Sequence, residues 1–475
     1  MDNLLLFLYL FSFFLVSSYV IINFKKKGLC LDNFFLFWII LYYLFIPINI
    51  IIFGSIFYDF NSTKNLYPPL NYVSLASLCA TLLFILSYII GKKIKLKGRE
   101  SNSLLGIYTL TIGRTSICKI SCYILSFVSL ISLVIYINEV GGLFSAIINA
   151  QTIRSGYIDT ITNSQYLFVK RFIEFAFIPF TIYVWQKREN LIDDIVLFFI
   201  PLFILVFLVL FLATSKTSVL VLFIIPYLSI CLKTGKYYLA PSLMLGLICL
   251  SLLDFLDNLF VIISMVTAEQ KNYGFLTIVF STVSAIFSGD IVKEASPQLA
   301  SASNNKYLQI LSYFVHYQVS LNLSLHEIYD LRFFQDIIIA LRKVVPDSFI
   351  GLDPHDMGVD ITQVTTALYN NGNLKNLNNA ASHIPPGIIP IGIYSFSLPG
   401  LIILGFAWGY MTELIDFFFK QIININNKFS GWYAYAIIIL GFYCQTGLPR
   451  VIVGNTSYLI FFLLFFVSFK LRYLR

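Results

Sequence analysis

Apolar runs of roughly twenty residues, separated by short polar joints, repeat along most of this 475-residue chain. A run of that length is what an α-helix needs to cross hydrocarbon. In lipid the backbone can satisfy its N–H and C=O groups only within helices or closed barrels. The pattern therefore specifies an all-α polytopic membrane protein, in which lipid takes the part that water plays for a soluble fold. The charge content agrees: 12% of residues are charged and 58% hydrophobic, against about 25% charged in soluble domains. A soluble chain this long would need two or three cores; one polytopic domain is the simpler reading.

About eleven transmembrane helices are expected, at 3–23, 33–53, 71–91, 120–138, 168–186, 195–213, 217–232, 242–264, 386–411, 432–446 and 456–469. Basic residues decide which way they run, because cytoplasmic joints carry an excess of Lys and Arg. Asp2 precedes the first run and Lys25, Lys26 and Lys27 follow it, the reverse of a cleaved signal peptide. The first run is thus a retained helix with the N-terminus outside. The richest joint, Lys92 to Arg99 with Arg114 and Lys119, is cytoplasmic, and Lys470, Arg472 and Arg475 put the C-terminus inside. The net charge of +8 is spread over these joints and is no nucleic-acid footprint. None of the seven cysteines falls in 265–385, so no disulfide framework holds that segment. Cys118 and Cys122 have no histidines nearby, so no metal is expected there.

The chain divides into helices 1–8 (1–264), a large outer loop between helices 8 and 9 (265–385) and helices 9–11 (386–475). The loop holds all four histidines, His316, His326, His355 and His383, together with the densest mix of Asp, Arg, Asn and Ser. Being outside lipid accounts for much of that enrichment. Its apolar stretch 273–288 is short for a span and is expected to lie along the interface. Apolar residues at three- and four-residue spacing predict helices at about 305–330 and 333–344, covering the outer face.

Chemistry is expected on that face. The short outer joints hold Lys64, Arg154, Arg171, Lys216 and Arg450, and the loop adds Arg332, Arg342 and Lys343. Each alone can snorkel to headgroups or pair with a carboxylate. Together, where basic residues are disfavoured, they suggest an anionic headgroup such as a lipid diphosphate, which suits the Arg fork and the Lys point charge. His383, just before Pro385-Pro386-Gly387, fits a general base, or else an interfacial residue at the mouth of a helix. Asp353, His355 and Asp356 form a turn rather than a metal site, since no further ligand follows at regular spacing. Asp254 and Asp257 share a face of helix eight, which should look into protein or a wet cavity. There is no P-loop, GxGxxG, GxSxG or HExxH, so nucleotide-driven transport and hydrolase chemistry lack support.

The layout resembles the Wzy-type O-antigen (oligosaccharide repeat unit) polymerases. The likeness rests on Ile153-Arg154-Ser155-Gly156 and on Thr214-Ser215-Lys216 at a hairpin tip. Tyr394-Ser395-Phe396-Ser397-Leu398-Pro399-Gly400 after the loop and Arg450 near the C-terminus complete it. Two positions depart: Gly392-Ile393 stands where relatives often show Gly-Glu, and Lys216 where they show Arg. The resemblance implies a GT-C-type glycosyltransferase of the bacterial inner membrane with a periplasmic site and a periplasmic loop. It would transfer a growing glycan from undecaprenyl diphosphate to the next lipid-linked repeat unit. His383 would be the base, and Arg154, Arg171, Lys216, Arg342 and Arg450 would bind diphosphate. No cofactor is implied, because the donor is already activated; membrane lipids and a chain-length regulator are the implied partners. A lipid-linked oligosaccharide flippase, to which Asp254 and Asp257 lend weight, and an O-antigen ligase are the alternatives.

Overall fold

The computed structural model describes residues 2–60, 73–94, 117–150, 169–185, 190–212, 216–236, 241, 244, 306–326, 331–342, 364–365 and 386–442. Every regular element among them is helical. Five helices are long and apolar enough to cross a membrane: Asn3–Lys27, Leu31–Phe53, Leu75–Lys92, Lys119–Glu139 and Ile388–Asn424. The expected runs at 242–264 (Met244 apart), 273–288 and 456–469 lie outside the described residues. The chain forms two compact units, one built from Met1–Thr109, Asn304–Gln421 and Ala436–Asn455, the other from Leu110–Ser303, Ile422–Tyr435 and Thr456–Arg475.

In the first unit, α1 (Asp2–Lys27) is followed by α2 (Leu31–Ile40), a π-helical turn (Leu41–Phe45) and α3 (Ile46–Phe60). No side chain of its own caps α2. Instead the buried carboxylate of Asp416 accepts the Leu31 and Asp32 N–H groups at 2.9 and 3.4 Å. A carboxylate there satisfies orphan donors and meets the positive end of the helix dipole. α4 (Leu75–Lys92) begins with a reciprocal Ser74/Ser77 capping box. Its far end is tied by a buried ion pair between Lys92 and Asp32, and the same carboxylate accepts from Tyr88 Oη at 2.9 Å and from Asn23 Nδ2 at 2.7 Å. Lys27 pairs with Glu413 at 2.7 Å. The lysine-bearing ends of α1 and α4 thus meet the start of α2 and the Glu413–Asp416 turn of a later helix through charges that cancel locally.

α12 (Lys306–His326) falls where the apolar spacing places a helix, but not over the surface. Residues 317–324 are all buried, in a cluster with α2, α3 and α4. The rings of Phe314 and Tyr317 lie on Tyr42, at 5.6 and 4.4 Å, and Gln318 Nε2 donates to Ser77 Oγ at 3.1 Å. Tyr9 Oη meets the same serine at 2.8 Å. A helix buried all round needs partners for its polar atoms, and Ser77 supplies one of them. α13 (Gln335–Arg342) follows, within the expected 333–344. α14 (Ile388–Ile425) runs well past the expected end at 411. Its charges at Glu413 and Asp416 face Lys27 and the start of α2, so they do not mark a joint. α14 packs closely on α4: a Cβ on Gly405 would stand 2.9 Å from the Phe84 carbonyl, and one on Gly409 2.1 Å from that of Tyr88. The matching four-residue steps show that the two helices run in the same direction.

The second unit contains α5 (Ile117–Glu139), α6 (Leu143–Ile148), α7 (Lys170–Ile173) and α8 (Phe177–Tyr183). It continues through α9 (Leu191–Asp194), α10 (Ile200–Phe207) and α11 (Lys216–Thr234). π-helical turns at Ile195–Phe199 and Leu208–Leu212 flank α10. Ser129 Oγ donates to the Ile173 carbonyl at 2.7 Å, tying α5 to α7. α15 (Ser430–Phe442) enters this unit through Gly431, where an added Cβ would stand 1.8 Å from the Thr181 carbonyl oxygen. Near the start of α5 Asp193 is held by Lys119 and Tyr123; their hydrogen bonds keep its carboxyl below the ordinary value of 3.8.

Candidate functional site

α14 is not one rod. Phe396 and Ser397 leave the helical region, and Ser397 has φ 58° and ψ −142°. A Cβ on Gly400 would lie 2.2 Å from the Gly392 carbonyl oxygen, whereas eight residues of straight helix rise about 12 Å. The helix therefore folds sharply on itself between these two glycines. Pro399 sits just after the fold, where the N–H it lacks is not needed to continue the helix. The segment Tyr394–Gly400, which carries part of the family resemblance, is this fold.

A broken helix leaves carbonyls without partners. Here the chain between α12 and α13 supplies them: Arg332 N–H donates to the Tyr394 carbonyl at 3.0 Å and Phe333 N–H to that of Ser395 at 2.9 Å. The rings of Phe333 and Phe334 pack on Phe396 at 5.0 and 5.2 Å. Arg332 is locked by a two-point contact with Asp336, Nε to Oδ2 at 2.8 Å and Nη2 to Oδ1 at 2.7 Å. Among the described residues, three that are not glycine have positive φ: Phe333, Phe334 and Ser397. All three are at this junction. Such conformations cost about 1–3 kcal/mol each and persist only where the surroundings over-determine them.

Beside the junction is a cavity of about 560 Å³, within the 300–1,000 Å³ usual for small-molecule sites. One wall is the first half of α4, with Ala76, Cys79, Ala80 and Leu83. The end of α12 contributes Ser324 and Leu325, and Leu331 follows. The folded helix closes it with Ile393, Ser397 and Leu398. The Ser324 hydroxyl is spent on the Leu321 carbonyl at 2.7 Å, and the lining is mostly apolar.

Of the residues singled out from the sequence, His383, Arg154 and Arg450 lie outside the described residues, as do Asp254, Asp257, Asp353, His355 and Asp356. Lys216 begins α11 and Arg342 ends α13. Arg171 opens α7 in the second unit, half-buried, and its charge and that of Lys170 act on Glu174 one turn on. Lys170 Nζ donates to the Leu212 carbonyl at 3.3 Å and lies 5.5 Å from the Tyr136 ring centre. That contact brings the start of α7 to the end of the π-turn, four residues before Lys216, so Arg171 and Lys216 belong to one end of this unit. The folded segment, the Phe333-Phe334 turn and the cavity went unseen in the sequence. The signal was there in Gly392 and Gly400 with Pro399 between them, inside an otherwise unbroken apolar run. No group of three or more potential metal-ligating side chains occurs among the described residues.

The chain matches no family model, no curated protein and no solved structure.

Proposed function

We propose that the protein is a polymerase of undecaprenyl-diphosphate-linked oligosaccharide repeat units, acting at the periplasmic face of a bacterial inner membrane. The observation that carries the reading is the folded Tyr394–Gly400 segment. One of the stretches by which the sequence resembles the Wzy-type polymerases forms a strained turn beside a cavity, and not a plain stretch of spanning helix.

In this reading an acceptor sugar hydroxyl attacks the anomeric carbon of the growing glycan's first sugar. The bond from that carbon to the diphosphate oxygen breaks, undecaprenyl diphosphate departs, and the hydroxyl proton passes to His383. Arg154, Arg171, Lys216, Arg342 and Arg450 hold diphosphate and stabilise the charge it gains. The activated donor needs neither nucleotide nor metal. A chain-length regulator is the expected protein partner.

The lipopolysaccharide ladder of a strain lacking the gene tests this. A polymerase null leaves core bearing one repeat unit. Bare core would instead fit the flippase or ligase alternatives and end the polymerase reading.

A further inference from the structure

We infer that the cavity beside the folded helix holds part of one polyprenyl chain of the lipid-linked substrate, admitted sideways from the bilayer. The inference rests on the polymerase reading and gives one part of that substrate a place in this chain.

The first argument is continuity with lipid-facing surface. Leu398 lines the cavity and is itself 50% exposed, and the exposed stripe continues along α14 through Ile402, Ile403 and Phe406. On α4 the wall residue Cys79 is exposed, and Leu75, Leu86 and Ile90 extend the same apolar surface. Among the described residues an apolar chain in the membrane meets no polar barrier on its way in. Depth is the second argument. The cavity touches α4 only between Ala76 and Leu83, in the half that starts at the Ser74 cap. The Lys92–Asp32 and Lys27–Glu413 pairs are at the other end, which the positive-inside rule assigns to the cytoplasm. The cavity thus belongs to the leaflet from which the proposed reaction draws its substrate.

The site also suits a tail and not a headgroup. Arg332, the cation next to Leu331, is committed to Asp336 by two hydrogen bonds, so the described residues at the mouth offer no net charge to a phosphate. The remaining question is why the cavity stays open. Its wall at Ser397 and Leu398 is fixed by the strained fold, which is held by the Arg332 and Phe333 N–H bonds and by the Phe333 and Phe334 rings. A softer wall would repack over the gap, as apolar interiors do when they can.

The test uses the full chain in phosphatidylcholine/phosphatidylglycerol nanodiscs and a polyprenyl phosphate carrying a diazirine in its chain. After photolysis, labelled peptides are mapped by mass spectrometry. Label should concentrate in 75–83 and 393–398 and fall about tenfold when a tenfold excess of unlabelled undecaprenyl phosphate is added. The same amount of dioleoyl phosphatidic acid should leave it unchanged, and Ala80→Phe, which fills the cavity, should abolish it. Equal competition by phosphatidic acid would mean that bulk lipid fills the cavity. Label spread evenly over the exposed stripes would mean that nothing is held there. Either result on the native protein overturns the inference, whether or not the variant folds. The two readings fail separately: site-specific label with an unaltered glycan ladder in the null strain removes the polymerase and keeps the tail site. A polymerase-type ladder with uncompeted label does the opposite.

Discussion

Gly400 lies against Gly392 so closely that one added methyl group would meet the Gly392 carbonyl oxygen at 2.2 Å. Two segments eight residues apart are in contact because Phe396 and Ser397 turn the chain between them. The cavity wall, the docking of Phe333 and the placement of Leu398 all follow from that contact.

Gly400→Ala and Gly392→Ala should therefore each destabilise the protein. Overpacking costs about 1–3 kcal/mol, and here the atoms in the way are backbone and cannot rotate aside. Thermal unfolding in detergent should show a lower Tm for both. Gly142→Ala serves as the control for space: its added Cβ would meet nothing within 4 Å, and only its φ of 101° opposes the change. If the Gly400 and Gly392 variants lose no more than Gly142→Ala, the close approach is not what holds the fold.

Ser397→Gly should act in the opposite direction. A residue with a Cβ at φ 58°, ψ −142° is strained, and glycine removes that strain of about 1–3 kcal/mol while adding about 0.5–1 kcal/mol of unfolded-state entropy. A rise in Tm is the expected outcome. A fall would mean that the hydroxyl contributes more than the backbone strain costs.

At the lysine-rich end the prediction concerns charge. Asp32 is fully buried and Lys92 nearly so. Breaking a buried pair from one side typically costs about 3–5 kcal/mol, because the survivor is left uncompensated. Asp32→Ala should sharply lower the Tm or the yield of folded protein. Asp32→Leu combined with Lys92→Met should recover most of the loss. A double variant no better than the single would place the importance of Asp32 in its bonds to Tyr88 and Asn23 rather than in the ion pair.

Asp193 gives a pH dependence with a definite sign. Lys119 and Tyr123 favour its charged form, so its folded value is depressed below 3.8. Its stabilising effect is fully present above the ordinary value and disappears as pH falls through the depressed one. Tm measured down through pH 4 should drop more in the native protein than in Asp193→Asn. Parallel curves would mean that the pair with Lys119 adds nothing, as is common for half-exposed ion pairs.

Helix positions were legible wherever a single apolar run met charged joints at both ends. The run 120–138 became Ile117–Glu139, and 71–91 became Leu75–Lys92. Spacing also placed Lys306–His326, but its position within the large polar loop assigned that helix to the outer face. Sequence does not reveal that Ser77, two hundred and forty-one positions away, receives Gln318 inside the core. The helix expected to end at 411 continues to Ile425, with Glu413 paired to Lys27 and Asp416 accepting from the Leu31 N–H at the start of α2. The fold at Ser397 was hidden because hydropathy is blind to direction: an apolar run reads the same straight or doubled back. Of the proposed diphosphate ligands, Arg171 and Lys216 come to one end of the second unit through Lys170 and Leu212; no periodic pattern connects 171 with 216.

The diphosphate clamp makes the most demanding prediction, because it concerns rate. On the proposed topology Arg154 and Arg450 fall in outer joints that the positive-inside rule depletes of arginine, and Arg171 is in the first turn of a helix beside the end that bears Lys216. If these groups meet the departing diphosphate, their contacts strengthen as the leaving group gains charge. Losing one such donor costs about 2.7–4 kcal/mol of barrier, or roughly a hundred- to a thousandfold in rate. Lysine keeps the charge and loses the two-point fork, so Arg→Lys should restore only part of the activity. Arg171 offers an internal check, because a residue that served only to balance Glu174 would be fully replaced by lysine. Glycan chain length is the readout, in cells carrying the Ala and Lys variants at membrane levels matched by immunoblot. Short ladders from Arg154→Ala, Arg171→Ala and Arg450→Ala, lengthened but not restored by the lysine variants, are expected. Full-length ladders from all three alanine variants at normal abundance would return these arginines to the role of lipid-facing anchors.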